Sequence, residues 1–445
     1  MENSHAVALQ SRVVNLKVLI KTFWGKKKST SDWIKFKIIE KDLDNLLKSI
    51  RCHNERKVPE RVLIIPCDPW TVGGSKGDEA MIWSAVTQIR KTHPNILIGI
   101  PTGTDAADQK VRAWGFEALP IWGKYWQLKN IRKAIYQFSP DCLLILGADV
   151  LDGCYGELQA LKMLTTADLC IRSGIKTILL GFSFNSRPSK RLLSVFRKLD
   201  KRILFNLRDI ISVKNFENFT QREARLVADI AFLLAPDGNT CSTRTIREWC
   251  ERRHAEGDLV LAINVHPMLL GEKFRSSLPL FMRAVTEGIS STIKKRKVSV
   301  LLVPHDYRGE LGDNVYLSEI AIALNGNFPE KVFYPKEQLT AAELKAVAGM
   351  VDGIFTGRMH FAIAGFGMET PVMAVTYQDQ KFHGLFAHFD MPESLLLLAK
   401  DIIEANILAA AIDDFLGKLP TLRRQIQSRL PTVMAAARMN LEGFI

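Results

Sequence analysis

From residue 61 onward the chain alternates short, β-branched apolar runs with longer stretches of helical spacing. That rhythm constrains the fold more than any other feature of the sequence. Strands that are apolar throughout must be covered on both faces, and parallel strands need a long crossover between them, usually a helix. The expected strands fall at 62–65, 96–100, 142–146, 177–182, 210–213 and 226–231, with a second series at 259–265, 298–303, 332–334, 353–356 and 372–376. A polar stretch at 237–257, carrying Gly238, Asn239 and several arginines, separates the two series. The expectation is an α/β protein of two Rossmann-like halves, 61–236 and 258–445, the second ending in helices. A linker at 237–257 joins them, a cleft lies between them, and a basic helical extension occupies 1–60. In such sheets the loops at the carboxyl ends of the strands line the crevice, so residues there are the ones to weigh for chemistry.

The extension carries 14 Lys and Arg against 7 Asp and Glu, counted to residue 61, about half of the chain's net charge of +13. Val13, Leu16, Ile20 and Phe23 follow helical spacing beside Lys17, Lys21 and the run Lys26 to Lys28, with Trp24 and Trp33 on either side. Lysines that meet anionic headgroups, and tryptophans that settle at the boundary, suit contact with an anionic membrane surface. A solvated helix packed on the main body is the alternative. Nucleic acid is not expected as a partner, because no nucleic-acid motif or aromatic platform accompanies the charge. No run approaches the roughly 18 consecutive apolar residues of a spanning helix. The first residues lack a basic segment followed by an apolar core, and the seven cysteines are scattered and odd in number, as reduced thiols would be. The expected location is the cytoplasm, at most peripheral at the inner face of its membrane.

Four strand ends carry candidate chemistry. Val72-Gly73-Gly74-Ser75-Lys76-Gly77-Asp78-Glu79-Ala80 follows the first strand and opens a helix. Glycines there let the backbone approach a ligand, helix amides favour an anion, and Asp78 or Glu79 can accept a proton from a hydroxyl. A tight turn capped by Asp78 is the plainer alternative. Gly147-Ala148-Asp149-Val150-Leu151-Asp152-Gly153 follows the 142–146 strand and places two carboxylates at the sheet edge. Val303-Pro304-His305-Asp306 ends a strand of the second half, with Asp313 opening the next helix. Most informative is 354–367, where an apolar strand ends in Thr356-Gly357 and Arg358 and His360 enter a small-residue helix, followed by Pro371-Val372. A guanidinium fork, an imidazole and a helix start together make an anion site with a proton donor attached.

These segments, in this order, resemble the polysaccharide pyruvyl transferase family. The resemblance rests on the GD-E-A loop, the glycine loop after a mid-domain strand, Asp229 and Phe232 in a V-x-D-x-x-F segment, the P-H segment, and above all R-x-H-x-x-I-x-x-x-G followed by P-V. Tyr377 and Lys381-Phe382-His383-Gly384 extend it, and it runs from about Val62 to about Pro392. It implies a GT-B-like fold and transfer of a pyruvyl ketal from phosphoenolpyruvate to two hydroxyls of one sugar, free or in a lipid-linked glycan. By that pattern Arg358 binds the donor and His360 is the catalytic acid. Lys214, His305 and Lys381 are further donor-binding candidates, Gly77, Asp149 and Asp152 lie on the acceptor side, and Asp78 or Glu79 is the base. Neither a metal nor a cofactor beyond the donor is expected, as no ligand cluster with metal spacing appears.

Two departures stand out. Gly147-Ala148-Asp149 replaces a Gly-Gly-Gly stretch common among relatives, and Val213-Lys214-Asn215 stands where they carry Arg after an apolar strand and before an acidic residue. Lysine keeps the charge but lacks the bidentate fork. Two other functions fit the same outline. A GT-B glycosyltransferase using a nucleotide sugar would need a ribose-binding carboxylate late in the second half, where Asp379 is a poor candidate. A non-catalytic, membrane-associated protein of glycan assembly would use Arg358 and His360 structurally.

Overall fold

The structure, a computed structural model, describes residues 30–49, 58–123, 126–270, 277–309, 312–376 and 382–444. The first half builds a seven-stranded parallel sheet from β1 (Arg61–Ile65), β2 (Leu97–Pro101), β3 (Glu117–Leu119), β4 (Cys142–Leu146), β5 (Lys176–Phe182), β6 (Leu204–Leu207) and β7 (Arg225–Leu226). Their order is β3-β2-β1-β4-β5-β6-β7. The second half builds a six-stranded parallel sheet from β8 (Leu259–Asn264), β9 (Val298–Leu302), β10 (Val332–Phe333), β11 (Gly353–Thr356), β12 (Val372–Thr376) and β13 (Leu396–Leu398), in the order β10-β9-β8-β11-β12-β13. Strand order reverses between β1 and β4 in one sheet and between β8 and β11 in the other. Crevices open at such reversals, because the loops on either side run in opposite directions.

Both faces of each sheet are covered. Along β1, Leu63 and Ile65 belong to a core beneath one layer of helices, while Val62 and Ile64 belong to a second core that continues into β8 and β11 through Ile263 and Phe355. That alternation is the two-residue period of a strand. The second core joins the halves. The helix Ala405–Arg438 packs on the helix Leu278–Lys295, and the turn after it returns to the first half. There Asn440 Nδ2 donates to Ala228 O at 2.7 Å, and Asn206 Nδ2 donates to Asn440 O at 3.0 Å.

Two expectations are corrected. Residues 210–213 are not a strand but the start of the helix Ile210–Thr220. Val213, Phe216 and Thr220 are its buried face, so the period there is helical despite the β-branched opening. The strand that precedes it, β6, is interrupted by the polar Asn206, which conceals it in the sequence. Of 226–231, only Leu226 is in a strand, and Ile230–Leu233 forms a 3-10 turn. The stretch 237–257 holds the helix Cys241–Ala255, capped by Thr240 and burying Ile246, Trp249, Cys250 and Arg253 at helical spacing.

The Val13–Phe23 pattern and the lysine run lie outside the described residues. The helix Thr30–Leu47, also in the extension, buries Phe36 and Ile39 against the helices Leu128–Phe138 and Glu157–Arg172. This part of the extension is therefore built into the body. No helix among the described residues is long and apolar enough to cross a membrane.

Candidate active site

The β1 loop reaches across the crevice to the loop after β9. Ser75 and Asp306 form an antiparallel bridge, and Lys76 N donates to His305 O at 3.2 Å. To make this approach the chain places Val72 at φ 38° and Gly73 at φ 70°. A buried, β-branched residue in the left-handed region is uncommon, and such strain collects at functional loops. Gly77 then opens the helix Lys76–Thr92 directly under the His360 ring. A Cβ at Gly77 would lie 2.3 Å from His360 Nδ1, so only glycine permits the contact.

Arg358 precedes the helix Met359–Gly367, and its backbone N donates to Thr356 Oγ1 at 2.9 Å. Its guanidinium is aligned from behind by two buried carboxylates. Nη2 meets Asp313 Oδ1 at 2.8 Å, Nε meets Asp313 Oδ2 at 3.3 Å, and Nη1 meets Asp306 Oδ2 at 3.2 Å. Asp313 also accepts from Asn264 Nδ2 at 2.6 Å and from His305 N at 3.1 Å. Burial pushes the Asp313 carboxyl up, against the pull of Arg358. Burial acts in the same direction on Asp306, but the guanidinium groups of Arg358 and Arg308 outweigh it and hold that carboxyl well below the usual range. Arg308 grips Asp306 and crosses to Asp68 of the first half at 3.2 Å.

His360 faces a third carboxylate from the opposite half, with Nε2 lying 3.6 Å from Asp229 Oδ2. The same oxygen accepts from Arg208 Nη1 at 2.9 Å. Arg208 follows β6 and precedes Asp209, which caps the helix Ile210–Thr220 by accepting from Ser212 N at 2.7 Å. Burial lowers the Arg208 pKa, but Asp229, Asp149 and Asp209 outweigh it and raise it. Arg208 thus follows a strand and precedes an acidic residue, whereas Lys214 follows the first turn of a helix. Lys214 itself is exposed on the helix Ile210–Thr220.

The two candidate bases differ in their surroundings. Glu79 is clamped, its Oε2 pairing with Lys76 Nζ at 2.9 Å and its Oε1 accepting from Ala341 N of the second half at 2.8 Å. Asp78 Oδ2 accepts from Asp68 N at 3.1 Å, and Oδ1 has no hydrogen-bond partner among the described residues. Burial, followed by the Asp68 carboxylate, raises the Asp78 pKa to about 6.

Of the remaining candidates, Asp149 is half-buried and accepts from Tyr155 OH at 3.1 Å, close enough to Arg208 to act on its charge. Asp152 is fully buried, holding Cys154 N at 2.9 Å and Asn185 N at 3.1 Å, and so shapes the loop from within. The His305 ring is buried, and burial together with Arg358 and His360 pushes its pKa well below the ordinary histidine value. Tyr377, Asp379 and Lys381 lie outside the described residues. Arg208 was missed because β6 is concealed. The N-L-R-D run, a guanidinium followed by a helix cap, was the available signal.

The sequence profile of the family described as polysaccharide pyruvyl transferase matches residues 76–379. A search of curated proteins finds no sequence match. Among solved structures, the fold is similar to a Listeria monocytogenes protein described as a UDP-N-acetylglucosamine 2-epimerase (TM-score 0.58, 14% identity, 86% of this chain and 95% of that one). It is also similar to the Neisseria meningitidis UDP-GlcNAc 2-epimerase bound to UDP-GlcNAc (0.54, 12%, 86% and 99%). A glycosyltransferase from Rickettsia africae is another neighbour (0.53, 10%, 87% and 98%). At these identities the likeness concerns the fold, which is GT-B-like. With most of its length, including both sides of the crevice, under the family profile, the chain belongs to the polysaccharide pyruvyl transferase family.

Proposed function

We propose that the protein moves the pyruvyl group of phosphoenolpyruvate onto two hydroxyls of one sugar, in a free or lipid-linked precursor of an envelope or extracellular polysaccharide, as a cyclic ketal. The observation that carries this reading is the meeting of Arg358 and His360 from one half with Arg208, Asp229 and the Gly77-Asp78 helix start from the other. Phosphoenolpyruvate is a small polyanion, and its C2 becomes electrophilic only when its methylene is protonated. Arg358 and Arg208 supply oriented charge for its carboxylate and phosphate. His360 gives the proton to the methylene, and Asp229, 3.6 Å from its Nε2, orients the imidazole. The first sugar hydroxyl then attacks C2 and loses its proton to Asp78. The second hydroxyl displaces phosphate, which leaves with the bonding pair, and as the ring closes its proton passes to His360, left neutral by protonating the methylene. The scheme draws on no metal or further cofactor.

Its direct test is turnover of phosphoenolpyruvate labelled at C2 with a pool of polysaccharide precursors. The expected result is a ketal carbon in the glycan and an equal amount of inorganic phosphate. Phosphate without ketal would contradict the reading.

If Asp78 is the base, it must be ionised before the first attack, so turnover should fall as pH drops through about 6. Asp78→Asn should abolish that limb of the profile. A low-pH limb unchanged in the variant would assign the base elsewhere. Gly77→Ala tests the contact below His360. Displacing the imidazole by about 1 Å should cost on the order of 100-fold in turnover. The Tm should fall by only the few degrees expected of modest overpacking. Unchanged turnover would show that the contact is incidental.

An anionic membrane surface remains part of this proposal, supported by the basic 1–29 segment and by exposed Trp33, Ile34 and Ile38 on the helix Thr30–Leu47. Deleting 1–58 would also remove Phe36 and Ile39 from the core and should lower the Tm. Deleting 1–29 should instead leave the Tm unchanged and weaken binding to anionic vesicles, as high salt should. Equal vesicle binding by both forms would dismiss the membrane contact.

A further inference from the structure

The loops after β1, β2 and β3 and the helix after β4, at the carboxyl edge of the first sheet beside the crevice, hold an aromatic cluster that the donor chemistry does not use. Trp70 in the β1 loop is 37% exposed. Its position is nonetheless fixed, because Gly103 N donates to Pro69 O at 2.8 Å and Thr104 Oγ1 donates to Trp70 O at 2.7 Å. Gly103 leaves room for the ring, since a Cβ there would lie 2.8 Å from Trp70 Cδ1. Lys162, near the start of the helix after β4, places Nζ 5.9 Å from the Trp70 ring centroid and 5.1 Å from that of Trp126. The Trp126 indole N–H is buried and has no hydrogen-bond partner among the described residues.

This cluster is joined to the donor side. Asp68, two residues before Trp70, donates its backbone N–H to Asp78 and pairs with Arg308, which grips Asp306, the carboxylate that aligns Arg358. A pyranose presents a face of polarised C–H groups, and the negative face of an indole attracts it, while the lysine over the ring, 5.9 Å from its centroid, donates to a hydroxyl or an anionic substituent at the sugar's edge. A rigid indole that stays half in water at a crevice therefore suits a sugar better than a protein partner. We propose that Trp70 is the platform on which a pyranose ring of the acceptor stacks, with Lys162 as its polar partner. This subsite deepens the transferase reading and rests on it for the identity of the occupant as a sugar.

The test is saturation-transfer NMR on the full chain with the methyl glycosides of glucose, galactose and mannose, alongside the Tm shift caused by phosphoenolpyruvate. At least one glycoside should bind saturably. Trp70→Ala should weaken it roughly tenfold and Trp70→Phe less, with the phosphoenolpyruvate shift unchanged in both. Lys162→Met leaves the platform in place and should weaken the same glycoside several-fold, which serves if Trp70→Ala fails to fold. Wild-type affinity in both Trp70→Ala and Lys162→Met overturns the proposal. So does the absence of binding by every glycoside to a chain that phosphoenolpyruvate stabilises. Glycoside binding that depends on Trp70 in a chain that phosphoenolpyruvate does not stabilise would uphold the platform and reject the donor.

Discussion

Replacing His360 with alanine should lower turnover by about two to four orders of magnitude and leave the protein folded and able to bind phosphoenolpyruvate. The fold should survive because the side chain is 15% exposed and lies at the surface of the crevice, against Gly77, outside both cores. Donor binding should survive because the charge for the polyanion comes from the guanidinium groups. What is lost is the proton for the methylene carbon, which solvent delivers slowly. Measuring kcat, KM for phosphoenolpyruvate and Tm on the same preparation separates these effects. A variant with near wild-type kcat would remove His360 from the acid role, and one with lost donor binding would make it a ligand instead.

Arg358→Lys should raise the Kd for phosphoenolpyruvate by about 10- to 100-fold, the cost of one hydrogen bond between charged groups, roughly 1.5–3 kcal/mol. Lysine retains the charge but cannot present a planar fork to an anion while also answering Asp313 and Asp306. Arg358→Ala is the less informative change. It would leave the buried Asp313 without its guanidinium, Asp306 keeping Arg308, and should destabilise the chain by about 3–5 kcal/mol, confounding binding with folding. Equal affinity in Arg358→Lys would confine Arg358 to a structural role as the partner of those carboxylates.

The legible parts of this molecule were those where local pattern and tertiary role agree. β4, β11 and β12 begin and end where the apolar runs do, because central parallel strands are apolar along their whole length. The edge strands β3 and β13 were not seen. They are three residues long, and their apolar character is weak or shared with the loops around them. β6 was not seen either, since Asn206 becomes tolerable only through the C-terminal turn, more than 200 residues away, that bonds it. That concealment kept Arg208 out of the expected site residues.

Within the site, Arg358 and His360 could be read because a fork and an imidazole at the start of an Ala/Gly-rich helix have few structural reasons to occur together. The distinction between Asp78 and Glu79 could not. It depends on Ala341 and Lys76, which occupy Glu79, and on burial and then Asp68, which raise the Asp78 pKa. Gly77 was legible as a turn residue, but the reason it must be glycine is the ring of His360, contributed by the other half.

The central claim is that the crevice takes phosphoenolpyruvate as donor, and calorimetric titration of the full chain tests it most directly, with UDP titrated into the same protein for comparison. The account predicts saturable binding of phosphoenolpyruvate at one site per chain, weakened in Arg358→Lys and retained in His360→Ala, with no heat of binding from UDP. Saturable binding of UDP with none of phosphoenolpyruvate would contradict it.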